Sequence, residues 1–150
     1  MKSILALAAT LSLFANAARA EKVLAEVRTV DAQIQSVQLT DSGALNILLR
    51  NGSKKRAPLA ASNVSELTNL ATYLGGVDLQ SEHHVVICMM MLAYPQNLYL
   101  ADAKTGEAKL VLSPRSCAIA NQVFPKQAYD LESAVELEKS LIVLARQLAN

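Results

Sequence analysis

The first twenty residues of this 150-residue chain read as a segment that stands outside its fold, and so limit what is left to build one. Met1-Lys2 is short and positive, Ile4 to Phe14 is almost wholly apolar, and Ala18-Arg19-Ala20 is a small-x-small site. Those are the three parts of a secretory signal peptide. A spanning helix needs about 20 apolar residues. Here the apolar run ends near Ala15, meets Asn16 and Arg19, and is followed by no stop-transfer pattern. The reading predicts cleavage after Ala20, with Ala17 as the alternative, no transmembrane segment once the signal is removed, and a periplasmic or secreted product. The first cysteine is Cys88, which argues against an amino-terminal lipoprotein. The lack of a twin-arginine pair points to export of an unfolded chain and speaks against a bulky cofactor loaded beforehand.

Residues 21–150 then form one domain, long enough to bury a real core. Lys2 and Arg19 leave with the signal, so 12 basic residues face 13 acidic ones. A balance near neutrality gives no electrostatic case for nucleic acid or an anionic membrane as partner. Without Trp, and with Phe124 as its single Phe, the domain must build its core from aliphatic side chains.

The two cysteines, Cys88 and Cys117, make an even count in an oxidising compartment, which points to a disulfide. Such a bridge would close a loop of about 30 residues and stabilise by about 3–4 kcal/mol on the chain-entropy estimate. No Cys-x-x-Cys is present to suggest redox chemistry.

Hydrophobic periodicity sets the elements. Residues 21–30 read as a first strand or a lead-in. Two runs with β alternation, 34–40 and 44–50, flank Asp41-Ser42-Gly43 and predict a hairpin with Gly43 at positive φ. Lys54-Lys55-Arg56 reads as a solvated loop that blunts a sheet edge, or as a contact for an acidic partner. Val64, Leu67, Leu70, Ala71 and Leu74 share a helical face, which predicts a helix over 64–74. Asn63 and Glu66 suggest a capping box for it, and Gly75-Gly76 a left-handed end. His83 to Met91 reads as a central strand covered on both faces. It would form a meander with strands at 98–100 and 108–112. Residues 113–129 show no period and read as a long loop that Cys117 ties down. A terminal helix capped by Asp130 carries the stripe Ala134, Leu137, Leu141, Leu144, Ala145 and Leu148. The expected fold is α+β: an antiparallel sheet of about five strands, two packed helices and one disulfide.

Chemistry-bearing residues are sparse. Glu82-His83-His84 and Met89-Met90-Met91 have copper-binding side chains. On one strand, however, His83 and Met89 would lie about 20 Å apart, so no metal site is assigned. No Gly-x-Ser-x-Gly elbow and no phosphate-cradling glycine loop is present, so neither catalytic nor cofactor-binding residues are assigned. The loop with Arg115, Ser116 and Phe124 is the candidate interaction segment, since a tethered loop loses little entropy on binding. The sequence thus points to an exported binding domain that engages a protein or small ligand through a sheet edge or this loop. A small extracytoplasmic enzyme or a protease-type inhibitor is the alternative.

Overall fold

The computed structural model describes residues 20–78, 86–87, 96–112, 116–117 and 125–150. Its elements are β1 (Val23–Arg28), β2 (Ile34–Thr40), β3 (Ala44–Leu49), β4 (Lys54–Pro58), α1 (Ala61–Gly75), β5 (Val86–Ile87), β6 (Asn97–Ala101), β7 (Ala108–Leu112), β8 (Ser116–Cys117) and α2 (Pro125–Ala149). Six strands form one antiparallel sheet in the order β4-β3-β2-β1-β6-β7, and β5 pairs with β8 in a second, two-stranded sheet. The architecture is α+β as expected, with six strands in the main sheet instead of about five.

Alternation along the strands divides the main sheet into an inner and an outer face. Register places Leu100, Ala25, Leu39 and Leu45 in one inner row across β6, β1, β2 and β3. Leu112, Leu98, Val27, Val37 and Ile47 make the next. All nine are buried. Ile34 and Val37 both join this core although an odd number of residues separates them from simple alternation; a register shift between Ile34 and Ser36 absorbs the mismatch. Such a bulge inserts one residue and restores the facing of the strand beyond it.

The two helices cover this inner face, α1 against β1 and β6 and α2 chiefly against β2, with α1 also touching α2. Leu67, Ala71 and Leu74 of α1 and Leu131, Ala134, Leu137, Leu141 and Ala145 of α2 complete the aliphatic core. Each inner row ends in a lysine on an edge strand. Lys109 of β7 lies opposite Leu100, and its ammonium donates to the carbonyls of Gly75 (3.0 Å) and Val77 (2.9 Å) at the end of α1. Lys55 of β4 lies opposite Ile47, and its ammonium donates to the Ala149 carbonyl at the end of α2. Both cations meet carbonyls at or just beyond the negative pole of a helix dipole, the Gly75 carbonyl also accepting from the Ala103 amide.

The β2–β3 hairpin forms as its sequence indicates, with Gly43 at φ +76°. Other expectations are corrected. Lys54-Lys55-Arg56 is part of a strand, not a loop, because its residues pair with β3. α1 starts at Ala61 with Ala60 as N-cap and no side-chain cap, so Asn63 lies inside the helix. Gly76 is right-handed (φ −86°). The glycine requirement falls on Gly75, where a Cβ would collide with the Ala101 carbonyl oxygen. The described part of the expected central strand, β5, is absent from the main sheet, so the expected three-strand meander reduces to the β6–β7 hairpin. The expected 113–129 loop contains β8 and the first turn of α2.

Asp130 therefore lies within α2 and not at its cap. It is fully buried; the Tyr73 hydroxyl donates to its Oδ1 at 2.9 Å, while Oδ2 has no hydrogen-bond partner among the described residues.

Candidate functional site

Of the residues singled out from sequence, Cys88, Arg115, Phe124, Glu82, His83, His84 and Met89 to Met91 lie outside the described residues. Ser116 and Cys117 form β8, where Cys117 pairs with Val86 and Ser116 with Ile87. Among the described residues, no group of three or more His, Cys, Asp or Glu could hold a metal ion, and no helix is long and apolar enough to cross a membrane.

The candidate site that the fold does assemble is on the outer face of the main sheet. Register aligns Leu110, Tyr99, Glu26, Gln38, Asn46 and Arg56 in a row across all six strands. A second row runs Asn97, Arg28, Ser36, Leu48, Lys54. These are the alternate positions of strands whose other side chains are core, so burial of the inner face fixes where they point.

Glu26 is the centre. Its side chain is only 14% exposed. Arg28 donates to Glu26 Oε2 from Nε at 3.0 Å and from its terminal nitrogen at 2.8 Å, and Gln38 donates to Oε1 at 3.3 Å. The hydrogen bonds to Glu26 raise the pKa of Arg28 above its ordinary value. The same guanidinium lies 4.1 Å from the centroid of the Tyr99 ring, a cation–π contact that fixes its plane.

A second network closes the far end of the face. Arg56 donates to Asn46 Oδ1 at 3.1 Å and to both carboxylate oxygens of Glu21. Ser42 and Thr40 also donate to Glu21. Hydrogen bonding from Arg56, then from Ser42 and Thr40, lowers the Glu21 pKa to about 2.

Two shallow grooves meet on this face. One, of about 280 Å³, includes Leu24, Ala25, Tyr99, Leu100 and Ala108 in its lining. The other, of about 480 Å³, includes Ser36, Asn46, Leu48, Lys54 and Arg56. Glu26 and Gln38 line both, so the grooves join over β1 and β2. Planar amides, a hydroxyl, guanidinium groups and a carboxylate with set orientations can recognise a polar ligand by paired hydrogen bonds. Comparison with protein-family models, curated proteins and solved structures returned no match.

Sequence reasoning singled out Arg56 within its cationic run but missed Glu26, Gln38, Asn46 and Tyr99. The available signal was the polar half of the alternation in each strand. Joining four such halves into one row requires the strand order, which no local pattern contains.

Proposed function

We propose that this protein is an exported binding domain, periplasmic or secreted, that holds its ligand on the outer face of the six-stranded sheet. The observation that carries this reading is the pair of joined grooves whose shared lining is an oriented, nearly buried carboxylate, Glu26, and the amide of Gln38. A merely solvated sheet face has no need to hold a carboxylate at that depth between a guanidinium and an amide, because desolvating a charge is costly.

Export is supported by the sequence of residues 1–20 and by the anchoring of Glu21, the residue that follows the expected cleavage point, to Arg56, Ser42 and Thr40. A Cys88–Cys117 disulfide belongs to the same reading. It is supported by the pairing of Cys117 with Val86, two positions before Cys88 in the chain.

The test is a photo-crosslinking side chain placed at Gln38, at Asn46 or, as a control, at the exposed Glu136 of α2, in cells that export the protein. Adducts at Gln38 and Asn46 and none at Glu136 are expected. Adducts at Glu136 alone, or at no position, would overturn the assignment of the face.

A further inference from the structure

Resting on that reading, we propose that the groove over β2, β3 and β4 takes an acidic glycan, a sugar polymer bearing carboxylates. Of the cations of β4, Lys54 and Arg56 stand on the outer face with this groove and its carboxylate Glu26, whereas Lys55 points to the inner face. Arg56 is matched by Glu21, and Lys55 by the Ala149 carbonyl. Lys54 has no such partner among the described residues, and its side chain shares the outer face with Ser36 and Leu48. With Arg56 paired to Glu21 and Glu26 to Arg28, the groove offers one uncommitted cation, Lys54, which is complementary to an isolated carboxylate.

The rest of the lining selects the kind of molecule that carries that carboxylate. Ser36, Gln38 and Asn46 stand on the neighbouring strands β2 and β3. Each side chain both donates and accepts hydrogen bonds, and so does a sugar hydroxyl. Neighbouring strands lie about 4.8 Å apart, comparable to the span of one pyranose ring, so successive sugars can meet successive strands. Leu48 is the apolar side chain on this face of the groove, since Ile47 is buried in the inner row, and no aromatic ring lines it. A hydrophobic ligand would have little to bury. An acidic peptide could meet the cations, but extended peptides draw affinity from backbone pairing at a sheet edge, whereas these polar groups stand on the face.

The test is a titration of the isotope-labelled protein, followed by backbone amide NMR, with three probes: oligogalacturonate, its methyl ester and a poly-glutamate peptide. Oligogalacturonate is expected to shift the signals of Ser36, Gln38 and Asn46. The methyl ester, lacking charge, should bind about fivefold more weakly, the worth of one partly exposed ion pair. Lys54→Gln should reduce oligogalacturonate affinity by about the same factor and leave the methyl ester unaffected. Equal binding of acid and ester would overturn the carboxylate, tighter binding of poly-glutamate would overturn the glycan, and silence with all three would overturn both. Crosslinks at Gln38 combined with that silence would retain the binding face and discard only the ligand class; loss of both would discard the face itself.

Discussion

Thr29 is a β-branched residue at φ +60°, a conformation in which its Cβ crowds the backbone. It is held there because its amide donates to the Gln35 carbonyl at 2.7 Å where the chain leaves β1 for β2. Thr29→Gly is expected to stabilise the protein by about 0.5–1 kcal/mol, the relief of strain exceeding the added chain entropy. The midpoint of urea unfolding would rise; an unchanged or lower midpoint would show that the turn carries no strain. Nothing in the sequence around Thr29 announced this, since strain arises from pairing between strands. Gly43, by contrast, was legible, because the Asp-Ser-Gly turn needs a positive φ that glycine supplies without strain. Gly75 was legible as a special position but for the wrong reason: its constraint is the approach of the Ala101 carbonyl, a tertiary contact.

At the scale of elements, the two edge lysines do two tasks. Lys55 and Lys109 point inward from the sheet edges and close the carbonyl ends of α2 and α1. Lys55→Met and Lys109→Met are each expected to lower stability by about 0.5–1 kcal/mol. Because the sites lie on opposite edges, the double variant should lose the sum. Calorimetric melting of the three variants checks this, and a loss in only one would show that the other ammonium is merely solvated. The hairpin β2–β3 and both helices could be read from period and turn chemistry because those signals are local. The start of α2 could not. Asp130 has the residue type of a cap, yet the helix begins at Pro125, a residue suited to a first turn. β4 was hidden for a related reason: three consecutive cations obscure its alternation, and only pairing with β3 reveals Lys55 as inward and Lys54 and Arg56 as outward.

For the whole molecule, ionisation sets how stability responds to acid. The Glu21 pKa falls from 4.5 to about 2, chiefly through Arg56. Asp102 is lowered by the backbone amides of Thr105 and Lys104. In Asp31 burial opposes the charge, but the Ile34 amide, Arg146 and the Gln33 amide outweigh it and lower the pKa. A depressed carboxylate pKa means that the unfolded chain takes up protons first. The stability from Glu21 is therefore present above about pH 4.5 and lost as the pH falls toward about 2. Burial raises the Glu138 pKa, which has the opposite sign and removes stability as the pH rises through the carboxylate range. Melting temperatures between pH 5 and pH 2 should fall less steeply in Glu21→Gln than in the parent; identical slopes would mean that the Glu21–Arg56 contact does not persist in solution.

The proposed disulfide gives the remaining prediction at this scale. Cys88→Ser, Cys117→Ser and the double variant should lose stability equally, by about 3 kcal/mol. Additive losses on thermal melting would mean that the two thiols act independently. The α+β class was legible in the chain because hydrophobic periodicity is a local feature. The proposed binding face was not, since Tyr99, Glu26, Gln38, Asn46 and Arg56 are brought together by strand order alone.

The most direct measurement is a native mass spectrum of the parent and of Gln38→Arg, each purified from the exported fraction of cells. The account predicts a chain that starts at Glu21, lighter by the two hydrogens a disulfide releases, with a bound mass in the parent that the bulky substitution removes. A chain that starts at Met1, or a bound mass equally present in Gln38→Arg, would contradict it.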